Sequence, residues 1–354
     1  LKRIAIIGCP GYFVHATQLR GTGMFRMGIL GVGKIAVNAM MPAFVHSTQT
    51  ELCALATRSE SKAEQLKKDC SVEKCYSSYE SLLEDDAIDG VYIGLPNHLH
   101  KDWTVRCLEA KKHVLCDKPL TMNLEEAIEI QHAAEQSGKV MMEAFMYRFH
   151  PQHDCVREIM QSGELGRIRS LECRFHYFLE DGANFRLRPE MGGGGLWDVG
   201  CYGIDSARYL LGEEPVSCAG TWNLNDQGVD DFCFFTLHFT NGCVASVSCG
   251  MRQPGVDTYR VNGDLGSICV PHAYIPKSGC AAHVGVTTSK SSRELSVPET
   301  NQYARELDAF AQACAGNVDC GRVGNGLRNM TILCAVRQAC ESGQVEKVRE
   351  VTPE

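Results

Sequence analysis

No apolar run in this chain approaches the roughly 18 residues that a membrane-spanning helix requires, which excludes a helical membrane protein. Long blocks of like charge are missing too. With 35 basic against 43 acidic residues and a formal net charge of −8, the chain lacks the basic face that nucleic acid demands. Cys-x-x-Cys pairs are absent among its 19 cysteines. The nearest spacings, Cys70/Cys75 and Cys314/Cys320, have no matching histidine cluster, so no metal site is expected. A secretory signal fits poorly, because Ile4–Ile7 is cut short by Gly8, Pro10 and Gly11. Cys233 alternates with Phe235, Leu237 and Phe239 in a strand pattern. That pattern points to buried, reduced thiols packing as small hydrophobes in a cytoplasmic protein.

What is present is a two-part rhythm over 354 residues, 44% of them hydrophobic, enough for two domains. From Phe25 to Phe145, strand patterns ("FRMGIL", "ELCALAT", "DGVYIGL", "HVLCDK", "VMMEAF") alternate with helical ones. Pro42 kinks or restarts the first helix, and Asn123 caps a later one that Gly138 stops. Such alternation means parallel strands with crossover helices, a doubly wound α/β sheet of Rossmann type. After Met146 longer strand signals take over, two of them joined by the hairpin signal Asn241-Gly242. Residues 24–145 are expected to form the Rossmann domain. Residues 146–354 are expected to form an α+β domain with a large, mostly antiparallel open sheet, and residues 1–23 an extension outside the fold. Phe232 and Phe234 fall on the strand face opposite Cys233. An exposed apolar patch there, and a homodimer or homotetramer built on it, are therefore expected.

Two apolar runs stop at a glycine, Ile4–Gly8 and Met27–Gly31. The first is followed by Cys-Pro-Gly with no clear helix. The second continues as Gly31-Val32-Gly33-Lys34-Ile35-Ala36, a GxGxxA run between a strand and a helix, where backbone amides meet a pyrophosphate. The next strand ends at Thr57-Arg58-Ser59, with Lys62 beyond it. An NAD site presents a carboxylate at this point to the ribose 2′-hydroxyl, whereas a guanidinium and two hydroxyls suit a 2′-phosphate, which favours NADP(H) over NAD(H). Arg58 stacked on adenine would tolerate either.

Four further stretches are placed for chemistry. "GLPNHLH" (94–100) carries Leu95, Pro96, Asn97 and His100, and "CDKPL" (116–120) carries Asp117 and Lys118; both follow strands and reach the carboxyl edge of the sheet, where open α/β sheets bind ligands. "EAFMYRFHP" (143–151), with Arg148, marks the junction of the two parts. "GGGGLWDVGCYGID" (192–205) puts Asp198, Tyr202 and Asp205 on one face at helical spacing. These residues resemble the glucose–fructose oxidoreductase, inositol dehydrogenase and MocA family, from about Phe25 to Val348. The family's E-K-P motif appears as Asp117-Lys118-Pro119, and its G-G-G-x-L-x-D-x-G-x-(H/Y)-x-x-D motif runs from Gly192 to Asp205. The branch it most resembles is the NADP-linked one of dihydrodiol and xylose dehydrogenases and sugar ketoreductases. Asp117 departs from the usual Glu, and Trp197 stands where a smaller residue is usual and could reshape the pocket.

The resemblance implies hydride transfer between a nicotinamide and a C–OH/C=O centre of a sugar, polyol or diol. Tyr202 is expected to exchange the hydroxyl proton, its pKa lowered by Lys118, which also holds the substrate oxygen. Asp198 is expected to orient substrate hydroxyls. His100 is placed by its motif at cofactor or substrate. Arg148 and Arg186 contact nicotinamide or substrate, or pair with acidic neighbours. Two alternatives stay open: a glycoside hydrolase working by transient oxidation, and a dinucleotide-binding regulator without catalysis.

Overall fold

The computed structural model describes residues 23–69, 72–180, 182, 184–317 and 323–350; the run Ile4–Gly8 lies outside them. The first part carries β1 (Phe25–Leu30), β2 (Thr50–Ala56), β3 (Lys74–Tyr76), β4 (Gly90–Ile93), β5 (His113–Asp117) and β6 (Met141–Ala144). Between them run α1 (Met41–His46), α2 (Glu60–Asp69), α3 (Tyr79–Leu83), α4 (His100–Glu109) and α5 (Leu124–Ser137). Among the described residues the strands form one parallel sheet in the order β3-β2-β1-β4-β5-β6, so the winding reverses between β1 and β4. All four residues of β4 are buried, as a central parallel strand covered on both faces must be. Pro42 stands in the first turn of α1, after a π-helical turn over Ala36–Met40. Asn123 caps α5 by accepting from Glu126 N, and Gly138 ends it in the left-handed region.

The second part adds α6 (Pro151–Gln161), β7 (Ile168–Phe178) and α7 (Cys201–Leu211), then β8 (Ser217–Leu224), β9 (Asp230–His238), β10 (Val244–Gly250), β11 (Arg252–Gly263), β12 (Gly266–Pro271), β13 (Ala282–Thr288) and β14 (Ser292–Val297). It closes with α8 (Gln302–Cys314), α9 (Val323–Ser342) and β15 (Glu346–Lys347). The sheet order is β14-β13-β12-β11-β7-β10-β9-β8-β15, and its pairs are antiparallel except β7 with β10. Cys233, Phe235 and Leu237 point inward and are fully buried. Gly203 lets α7 lie close on β10, since a Cβ there would come 2.4 Å from Val247. Helix α8 returns to the first sheet, where Leu307 and Phe310 join one core with Met27, Ile29 and Tyr92.

The outer face of the second sheet is not the apolar patch expected. Phe234 is 41% exposed there, but its row across the sheet reads Thr221, Phe234, Ser248, Arg174 and Thr258. The flanking strands place hydroxyl and charged side chains between the exposed Phe178 and Phe234. β13 and β14 come from a stretch with little readable pattern.

Candidate functional site

At the end of β1, Gly31 has φ +87°. A Cβ there would lie 2.8 Å from the Gly94 carbonyl oxygen, so the turn closes against the β4 loop only with glycine. A cleft of about 610 Å³ opens beside it, lined by Gly31, Gly33, Thr57, Arg58, Ser59, Lys62, Leu95 and Pro96 among others. The Arg58 guanidinium lies 5.9 Å from the Tyr79 ring centroid. Lys62 Nζ donates to the Val32 carbonyl at 2.7 Å, which holds its charge at the turn. A guanidinium, an ammonium, two hydroxyls and a glycine turn at a helix start are the donor set that a pyrophosphate and a 2′-phosphate need. NADP(H) fits these residues.

A second cavity of about 590 Å³ runs from Gly33, Lys34 and Ile35 past Pro96 and Asn97 to Asp117, Lys118, Arg186, Asp198 and Tyr202. Lys118 leaves the end of β5, while Asp198 and Tyr202 come from the π-helical turn Leu196–Gly200 and the start of α7. Lys118 Nζ donates to the Asp198 carbonyl at 2.5 Å and to Asp198 Oδ1 at 3.1 Å. Arg186 Nε reaches Asp198 Oδ2 at 2.9 Å, and Tyr177 Oη donates to the same oxygen at 2.5 Å. Asp198 is thus the hub of two cations and a phenol rather than a carboxylate free for hydroxyls. Burial alone would raise its pKa, but Arg186 and Lys118 outweigh it and hold the carboxylate well below its usual range. Burial likewise works to lower Lys118, yet Asp198 above all keeps its ammonium raised and charged.

Tyr202 corrects an expectation. Burial pushes its phenol well above the ordinary value of 10. The Lys118 ammonium sits over the ring, 5.1 Å from its centroid, and the hydroxyl meets Met146 Sδ at 3.5 Å. The charge that was to lower the phenol is neutralised by Asp198.

Other residues are not brought to the cavity. Arg148 clamps Asp205 through Nε at 2.7 Å and Nη2 at 2.6 Å. Asp205 itself also accepts from Tyr147 and Asn329, and it does not line the cavity. His100 is fully buried, with Nδ1 2.9 Å from the Pro119 carbonyl and Nε2 2.8 Å from the Leu95 carbonyl. It ties the ends of the β4 and β5 loops together, and burial lowers its pKa. Asn97, by contrast, does line the cavity, and its Nδ2 donates to the Gly192 carbonyl at 2.8 Å, stitching the glycine run to the first sheet. Trp197 does not line the cavity; its indole donates to the Thr121 carbonyl at 3.3 Å. Among the cavity residues that escape a sequence reading are Tyr177, on the alternating pattern of β7, and Tyr303 and Glu306 on α8. Only the strand alternation of β7 held a signal for any of them.

Two family descriptions match the chain: "Oxidoreductase family, NAD-binding Rossmann fold" over residues 25–145 and "GFO/IDH/MocA C-terminal domain" over residues 153–269. A D-xylose 1-dehydrogenase (NADP(+)) of Haloferax volcanii is 37% identical over 81% of this chain and 88% of its own length. A trans-1,2-dihydrobenzene-1,2-diol dehydrogenase of Xenopus tropicalis is 27% identical over 78% and 82%. Among solved structures, a 3-ketoreductase of Actinomadura kijaniata in complex with NADP and TDP-benzene superposes with a TM-score of 0.85 at 29% identity, covering 90% of this chain and 98% of that one.

Proposed function

Because the chain belongs to the glucose–fructose oxidoreductase, inositol dehydrogenase and MocA family of oxidoreductases, we propose that it interconverts a C–OH and a C=O centre of a sugar, polyol or related diol with NADP(H). The observation that carries this reading is the single cavity in which Lys118 and Tyr202 meet the glycine turn. The named activities of the relatives support the substrate class and the cofactor. Bound NADPH supplies the hydride in the reducing direction.

The chain's own residues handle the oxygen and its proton. Lys118, kept charged by Asp198, donates to the substrate oxygen and stabilises negative charge developing there. Tyr202, a neutral phenol in this setting, gives its proton to that oxygen in reduction and is reprotonated from water, and in oxidation its phenolate takes the substrate proton. Arg186 and Tyr177 hold Asp198 so that the lysine is fixed. Self-association through the outer face of the second sheet, around Phe232 and Phe234, belongs to the same proposal. The test is nicotinamide absorbance with NADPH or NADP and a panel of sugars and diols. Net turnover supports the reading; cleavage of a glycoside with no net absorbance change overturns it.

A further inference from the structure

On the wall of the cavity, α8 contributes Glu306, a fully buried glutamate. Neither of its carboxyl oxygens has a hydrogen-bond partner among the described residues. A buried carboxyl without partners is costly and calls for a ligand group. Its neighbours along the wall are Ala36, Met40, Tyr92, Tyr303 and Asp117. That stretch lies between the glycine turn, where a pyrophosphate belongs, and Lys118, where the proposed hydride transfer occurs. A nicotinamide reaching from one to the other passes along it.

Resting on the proposed use of a nicotinamide cofactor, we propose that Glu306 reads the ring's carboxamide, donating its O–H to the amide carbonyl and accepting an amide N–H. A protonated carboxyl presents one donor and one acceptor side by side in a plane, the complement of a primary amide. A tyrosine hydroxyl on the same wall does not offer that pair. Burial, and then the facing Asp117 carboxylate, keep Glu306 well above the ordinary carboxylate range, so the proton is in place. The other titratable groups facing it are the Tyr92 and Tyr303 phenols, which burial also holds neutral.

The experiment is fluorescence titration of the full chain and its Glu306→Leu and Glu306→Gln variants. The probes are NADPH, NADH and the reduced 3-acetylpyridine analogue of NADP, in which a methyl ketone replaces the carboxamide. The native chain is expected to bind NADPH about 10-fold or more tightly than the analogue. Glu306→Leu should weaken NADPH by a similar factor and erase the preference, while Glu306→Gln keeps most of it, since its amide also pairs with an amide. An unchanged preference in Glu306→Leu overturns the inference and leaves the cofactor assignment standing. Binding of NADH but not NADPH overturns the 2′-phosphate assignment alone, and the carboxamide comparison is then read with NADH and its own acetylpyridine analogue. Should Glu306→Leu not fold, the native preference decides: equal affinity for NADPH and the analogue removes the role assigned to Glu306.

Discussion

Tyr202 and Lys118 share a cavity but divide their work, and substitutions should separate them from the cofactor. The phenol is proposed to act on the reacting oxygen, and dinucleotide affinity is proposed to rest on the turn at Gly31 and the cleft at Arg58. Tyr202→Phe is expected to lower single-turnover hydride transfer by roughly 10²–10⁴-fold with NADPH affinity nearly unchanged. A near-normal rate would send the proton another way, and His100 is not a ready substitute because both its ring nitrogens face backbone carbonyls. Arg58 gives the matching test on the cofactor side. Arg58→Ala should weaken NADPH in a fluorescence titration far more than NADH, because a 2′-phosphate alone loses its guanidinium. Equal losses would mean that Arg58 serves the adenine instead.

At the level of elements, a buried polar junction ties β6, the loop after β5 and helices α7 and α9 together. Glu143 on β6 accepts from Leu120 N at 2.8 Å, two residues past Lys118. Asn329 on α9 donates to Glu143 Oε2 at 3.0 Å and to Asp205 Oδ1 on α7 at 2.9 Å. Burial pushes Glu143 up to about 7 from an ordinary 4.5, with the Asn329 hydrogen bond opposing and the Asp205 charge adding to it. A raised carboxyl stabilises the fold fully below its unfolded pKa and loses that contribution as pH climbs through its folded value. Glu143→Gln, which cannot ionise, should therefore melt progressively higher relative to the native chain between about pH 5 and pH 8, by roughly 3 kcal/mol of stability at most. Parallel melting curves across that range would show that Glu143 titrates as in the open chain.

For the whole molecule, the proposed self-association has to be reconciled with a polar outer sheet face. Phe234 lies between Thr221 and Ser248 in its row across the sheet, which suits an interface that pairs hydrogen bonds around a small apolar centre. Sedimentation should show a dimer or larger, and Phe234→Lys should shift it toward monomer by placing a charge at that centre. A concentration-independent monomer in the native chain would end the proposal. Both sheets depend on distant chain segments, since α8 packs on the first sheet from beyond residue 300 and α9 lies among α5, α7 and β8. A truncation that removed either helix would strip buried surface from both parts.

The parallel winding of the first sheet was legible in five of its six strands because apolar period changed from two to helical between them, whereas β3 is three residues long with none fully buried and carried no signal. The glycine turn, Arg58, Lys118 and Tyr202 were equally readable, since each stands at a strand or helix end with a chemistry that its neighbours lack. Packing decided the rest. Sequence spacing put Asp205 near Tyr202, but packing engaged its carboxylate with Arg148, Tyr147 and Asn329 outside the cavity. The sign of the Tyr202 shift depended on burial and on Asp198 neutralising Lys118, neither of which a local pattern encodes. Glu306 and Tyr303 looked like ordinary residues of an amphipathic helix until the chain brought α8 back against the cavity. Local chemistry wrote the strands, turns and donors, and long-range packing chose which charges meet, because desolvation and charge pairing exist only between surfaces that the folded chain brings together.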